Sequence, residues 1–261
     1  MKILLSNDDG IKSLGIFASY EAVKSLGETI IVAPNTQQSA IGRALTLFKP
    51  LRIDLTSLKD DMKGYSVSGT PADAVTLGIF ELLDEKPDLV ISGINIGENI
   101  GKGELTSSGT IGAAMEAASF GIPSIAISQQ VTRGDIKFSD GNIEIDYDLA
   151  KKILNKIAKN VLKKGMPEGA DVLNINIPSH PESDEILITQ LGHRMYNPII
   201  ETRFDPRGKP YYWIGGSPFE GDEIKTDGHG LKILKQPTIT PLTLDLTSDL
   251  KSVDGWLQSN F

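Results

Sequence analysis

Five short apolar runs punctuate the first 180 residues: Lys2–Ser6, Thr29–Ala33, Asp88–Ser92, Ser124–Ser128 and Val172–Ile177. Each has the length of a buried strand, and the segments between them carry helical periodicity. Ile16, Tyr20 and Val23 recur at helical spacing, with Gly27 expected as the C-terminal cap. Thr70-Pro71-Ala72-Asp73 offers a capping hydroxyl, a proline at the first helical position and an acid three residues after the cap. Val75, Ile79 and Leu82 then share a helical face. Thr110–Ser119 is an Ala-rich helix closed by Gly121 and Pro123, and Tyr147–Lys164 is amphipathic through Ile153, Ile157 and Val161. Buried strands alternating with helices require a mostly parallel sheet covered on both faces, so the expected class is α/β in three layers. Ligands of such sheets bind beyond the carboxyl ends of the strands.

The texture changes after about residue 185. Phe204–Ile214 is rich in turn formers and aromatics and reads as a turn followed by a strand. Tyr196, Tyr211, Tyr212 and Trp213 gather between 196 and 213, a composition that suits either a subunit contact or an ordinary covering hairpin. Pro237–Leu246 alternates polar and apolar residues as a last strand, and Ser248–Phe261 is expected to close the chain as a helix. With no internal repeat or linker, the expectation is a single domain over 1–261. Its core covers about 1–185, an extension about 190–235, and a closing strand and helix about 236–261.

The absence of cysteine excludes disulfides, thiolate metal sites and Cys nucleophiles. A net charge of −8 argues against wrapping nucleic acid. It leaves room for a small anionic substrate if a cation reverses the sign locally. The first residues lack the basic and apolar regions of a signal peptide. No apolar run approaches the ~20 residues of a membrane span. The expected partner is thus a small molecule, with neither nucleic acid nor membrane, in the cytoplasm.

At the end of the first run, Ile3-Leu4-Leu5 passes straight into Ser6-Asn7-Asp8-Asp9-Gly10. Adjacent carboxylates oppose each other's ionisation, and a divalent cation removes that conflict. Two readings are open: a helix or turn cap beside a solvated acid, or half of a hard-metal site. Three further loops follow candidate strands: Ala33–Gly42, Ser92–Gly101 with its spaced glycines and asparagines, and Thr106–Thr110 ahead of the Ala-rich helix. The last is open to being an anion site or an ordinary N-cap. Gly97–Gly103 fails as a Walker loop, since only three residues separate Gly97 from Gly101 and Gly103 stands where Ser or Thr is required. No dinucleotide fingerprint follows the first strand, and His180, His193 and His229 lie late without a nucleophile elbow.

Jointly, ILLSNDDGI, APNTQQSAIGRALT, SGTPADAV, DLVISGINIGENIG and SSGTIGAAMEA resemble the SurE survival proteins, a family of metal-dependent nucleotidases. RFDPRGKPYYWIGG and TITPLTLDL are also similar to that family. The resemblance implies a Rossmann-like core with a late β-hairpin extension that joins subunits, as homodimer or homotetramer. It implies one divalent ion per subunit, Mg²⁺ or Mn²⁺, with Asp8 and Asp9 as the metal-binding and catalytic acids, Ser39 as hydroxyl ligand and Asn95 as amide ligand. Asn99, Ser108, Gly109 and Thr110 match phosphate-pocket positions, and Asp227 is a further pocket candidate. Glu98 and Ser107 depart from the family pattern near that pocket. The activity implied is hydrolysis of nucleoside 5′- or 3′-monophosphates. Two alternatives remain: an aspartyl-phosphate route, and a non-catalytic module that senses Mg²⁺–nucleotide.

Overall fold

The computed structural model describes residues 1–59, 62–131 and 145–260, and Phe261 of the expected closing helix lies outside the described residues. The strands, numbered in chain order, are β1 (Lys2–Ser6), β2 (Glu28–Pro34), β3 (Ile53–Ser57), β4 (Lys63–Val67), β5 (Leu89–Ile96), β6 (Ser124–Gln129), β7 (Val172–Ile177), β8 (Leu187–Ile188), β9 (Tyr196–Phe204), β10 (Pro210–Pro218) and β11 (Thr238–Leu242). All but β9 and β10 form one sheet of order β3-β4-β2-β1-β5-β6-β7-β11-β8. From β4 to β7 every pairing is parallel. β3 joins β4 and β11 joins β7 antiparallel, and the two-residue β8 pairs parallel with β11 at that edge. The chain builds β1, β2 and β4 to one side, then crosses to lay β5 on the other side of β1. The order therefore reverses between β1 and β5, the crevice where open α/β sheets bind ligands.

Alternate side chains of β1 feed two cores. Ile3 and Leu5 join the cluster under α1 (Leu14–Val23) and α5 (Asp148–Lys164). Leu4 joins Val32 and Val90 under α2 (Pro71–Leu77) and α4 (Gly109–Ser119). The sheet is thus covered on both faces, as its apolar strands require. α2 begins in a complete capping box: Thr70 accepts from the Asp73 N–H, and Asp73 accepts from the Thr70 N–H.

Two of the boundaries that differ from expectation have a plain physical reason. α1 ends at Val23 with Lys24 as its cap, so Gly27 is no helix terminus. A Cβ on Gly27 would stand 2.3 Å from the Met1 carbonyl oxygen, so its smallness serves a close approach to the start of β1. The last strand is shorter than Pro237–Leu246, because β11 stops where its pairing with β7 runs out at Val172. The expected turn after Phe204 is a hairpin joining β9 to β10, with Asp205 Oδ1 accepting from the N–H groups of Arg207 and Lys209. The short helix α3 (Gly101–Leu105) lies in a segment with no helical pattern, and α6 (Leu250–Asn260) follows β11.

Candidate active site

The turn after β1 is built by its neighbours, leaving the acids for other work. Asn7 Nδ2 donates to the Gly10 carbonyl at 3.0 Å and to Ser13 Oγ at 2.6 Å. Ser13, not an aspartate, caps α1 by accepting from the Ile16 N–H. Gly10 closes the turn at φ +95°, a conformation that side chains with a Cβ resist.

Asp8 is buried, and its Oδ1 accepts from Thr110 Oγ1 at 2.5 Å. Its carbonyl accepts from the Gln38 N–H at 2.7 Å, drawing the loop that carries Ser39 over the end of β1. Asp9 Oδ2 accepts from the Ile96 N–H at 2.9 Å, so the second acid is tied to the end of β5. Between them in the sheet, Ser6 pairs with Ser92, and a bulge follows before Asn95. Asn95 is 2 % exposed; its Nδ2 donates to the Gly97 carbonyl at 2.5 Å. Its Oδ1, also buried, has no hydrogen-bond partner among the described residues.

α4 approaches from the opposite wall. Ser108 caps it by accepting from the Ile111 N–H at 3.1 Å, and Thr110 is fully buried against Asp8. Gly109 permits the contact: a Cβ there would lie 2.7 Å from Asp8 Cβ and 3.1 Å from the Gln38 carbonyl oxygen. The first amides of a helix have no intrahelical acceptor, and the dipole there favours negative charge. Ser39 itself is exposed on the 35–43 loop. That loop is anchored beyond it by Gly42 N–H donating to the Ser107 carbonyl and by Arg43 paired with buried Glu116 at 2.6 Å.

The residues named from the sequence fall into two groups. Asp8, Asp9, Ser108, Gly109 and Thr110 come together at the strand-order reversal with the Ser39 loop beside them, and Asn95 precedes Ile96, whose N–H binds Asp9. Asn99 sits on the following turn, fixed to β6 and β7. Asp227 is fully buried, and its carboxylate accepts from the N–H groups of Gly101, Gly192 and Gly228 at 2.7–2.9 Å. Among these three, Gly101 opens α3, the helix that follows the Asn99 turn. Burial raises the Asp227 pKa above the ordinary carboxylate value, with those three amides opposing the rise. Tyr147, which no sequence motif signals, is buried. Burial first, and the Asp9 charge second, push its phenol well above the usual range, so it stays neutral.

Among the described residues no three His, Cys, Asp or Glu side chains gather as a metal cluster. A cation in the crevice would therefore rest on two carboxylates and neutral oxygens. The unpaired Asn95 Oδ1 fits that donor set, because a buried amide oxygen without a hydrogen bond is costly unless something else satisfies it.

The sequence profile of the family described as "Survival protein SurE" matches residues 3–198. The 5'-nucleotidase SurE of Methanobrevibacter smithii is 59 % identical over 99 % of this chain and 100 % of its own length. That of Methanothermobacter thermautotrophicus is 60 % identical over 92 % of each chain. The crystal structure of the SurE protein from Aquifex aeolicus superposes with a TM-score of 0.79 at 40 % identity, covering 99 % of this chain and 100 % of that one. With the crevice and the full-length similarity in agreement, the chain belongs to the SurE family.

Proposed function

We propose that this chain is a divalent-metal-dependent nucleotidase that hydrolyses nucleoside 5′- or 3′-monophosphates to nucleoside and phosphate. The carrying observation is that Asp8 meets the start of α4 while Asp9 binds the Ile96 N–H beside Asn95, whose buried Oδ1 has no hydrogen-bond partner among the described residues. The names of the relatives supply the substrate class. Asp8, Asp9, Ser39 and Asn95 would hold one Mg²⁺ or Mn²⁺. When bound, such an ion withdraws charge from the phosphoryl oxygens and acidifies a water.

The residues of the chain supply the rest. Asn99 and the Ser108–Thr110 helix start bind the phosphoryl group, the backbone amides facing its developing charge. Thr110 fixes the Asp8 carboxylate through its hydroxyl, so the acid does not swing between rotamers. The acid pair takes the proton of the attacking water as the new P–O bond forms. The bond to the nucleoside oxygen breaks, and that oxygen leaves with the proton that the acid pair took from the water. The β9–β10 hairpin serves as a subunit contact in a homodimer or homotetramer, supported by the exposure of Ile199, Ile200, Tyr212, Trp213 and Ile214. Among the described residues no helix is long and apolar enough to cross a membrane.

Phosphate release from 5′- and 3′-nucleoside monophosphates and p-nitrophenyl phosphate, with rapid-quench trapping, tests this reading. Turnover favouring nucleotides without an acid-stable phosphoenzyme is expected. A trapped aspartyl-phosphate would replace the water route, and tight nucleotide binding without turnover on any ester would make the chain a sensor.

A further inference from the structure

The sheet carries a polar patch where parallel strands are ordinarily apolar. Register places Asn95 beside Ser128, Ser128 beside Asn176 and Asn176 beside Thr238, one polar residue from each of four neighbouring strands. Two residues back, Asn174 pairs with Ala126 and Thr240 on the same face. Asn174, Asn176 and Ser128 are all 0 % exposed. Buried amides are costly unless hydrogen-bonded, so what they bond to matters.

Three of these side chains converge on one residue. Asn176 spans the Asn99 backbone, its Oδ1 accepting from the Asn99 N–H at 2.8 Å and its Nδ2 donating to the Asn99 carbonyl at 3.1 Å. Asn174 Nδ2 donates to the same carbonyl at 2.9 Å. Ser128 Oγ accepts from the Asn99 side-chain Nδ2 at 2.8 Å. The turn so gripped is bounded by Gly97 at φ +100° and Gly101 at φ +78°, residues that restrain it little on their own. Backbone and carboxamide of Asn99 are thus both fixed from a rigid sheet rather than from within the loop.

We propose that Ser128, Asn174 and Asn176 are positioning residues that hold Asn99 in the orientation that receives the phosphoryl group. This rests on the reading of Asn99 as a phosphate-binding residue. Small misplacements of such a group cost large factors in rate, which gives the buried amides a role beyond filling a core.

A double-mutant cycle tests it, using Ser128→Ala, Asn99→Ala and the pair in the full chain. The readouts are kcat and KM on a nucleoside 5′-monophosphate, inorganic phosphate affinity by calorimetry, and melting temperature. Ser128→Ala is expected to lower kcat/KM and phosphate affinity about 5- to 10-fold, the effect of one hydrogen bond. In the Asn99→Ala background it adds nothing, since its partner is gone. Asn176→Leu, which removes the two Asn176 contacts to the Asn99 backbone and leaves only that of Asn174, should cost about 100-fold. Because Asn176→Leu can also unfold the chain, Ser128→Ala is the deciding variant. Unchanged kinetics and phosphate affinity in Ser128→Ala, or a full additive loss in the Asn99→Ala background, would overturn the proposal while leaving the nucleotidase reading standing. Asn99→Ala with wild-type phosphate affinity and kinetics would instead remove the phosphate role of Asn99 itself, and this proposal with it.

Discussion

Gly109 is where helix, loop and acid meet, and its missing side chain is what lets them meet. A methyl group at that position would lie 2.7 Å from Asp8 Cβ and 2.9 Å from Asp8 Oδ2, so Asp8 or the α4 start must move. Gly109→Ala is therefore expected to lower kcat/KM by about 100-fold, a displacement effect at the reacting centre. Steady-state kinetics beside a thermal melt check this; wild-type turnover would show that the contact is not needed. Much of this residue-scale arrangement is legible in the sequence. Two acids that follow an apolar strand leave few physical options, and Ser-Gly-Thr ahead of an Ala-rich run announces a helix start. The Asn174 and Asn176 grip is not legible in the same way. Val172–Ile177 reads as one more buried strand, and its partner turn lies far away in sequence. The signal present is the i, i+2 spacing, which puts two amides on one face of a strand with no solvent face.

The capping box of α2 and the strands β1 and β7 are fixed by local chemistry, and they fall where the residues place them. α3 is the opposite case. Five residues, two of them glycine, cannot sustain a helix alone. Its amides are instead held from outside: Gly101 by Asp227, Lys102 by the Gly192 carbonyl and Gly103 by the His193 carbonyl, while Glu104 accepts from Met195 and Tyr196. No local pattern can announce an element made by tertiary contacts. Asp227 makes that dependence measurable. Its folded-state pKa is raised, so its favourable contribution is full below the unfolded carboxylate value of about 3.9 and is lost as pH rises through the folded value. The stability of the wild type relative to Asp227→Asn, taken from urea unfolding, is thus expected to be greater near pH 4 than near pH 7. A gap that widens with pH would contradict the buried, desolvated carboxylate.

Across the whole molecule, the strand order reverses between β1 and β5, where the candidate site lies, while the β9–β10 hairpin carries its exposed apolar side chains on a separate two-stranded ribbon. Ile200 and Ile214 stand directly opposite each other, 57 % and 83 % exposed. Ile200→Glu with Ile214→Lys would keep the cross-strand pair as an ion pair while removing the apolar surface. Light scattering is expected to show a smaller assembly for the double variant; an unchanged mass would place the subunit contact elsewhere. The alternation of apolar strands and helices made the sheet readable from sequence, but the partner of an exposed hairpin is not written in the chain that carries it. The proposed chemistry depends on the acid pair at the strand-order reversal and on the divalent ion that the pair would hold. Phosphate release from a nucleoside 5′-monophosphate is followed after EDTA treatment and again with Mn²⁺ or Mg²⁺ restored, for the wild type and Asp8→Asn. Activity lost to EDTA, regained with the ion and abolished in Asp8→Asn is the expected result; full turnover in EDTA, or an unaffected Asp8→Asn, would contradict it.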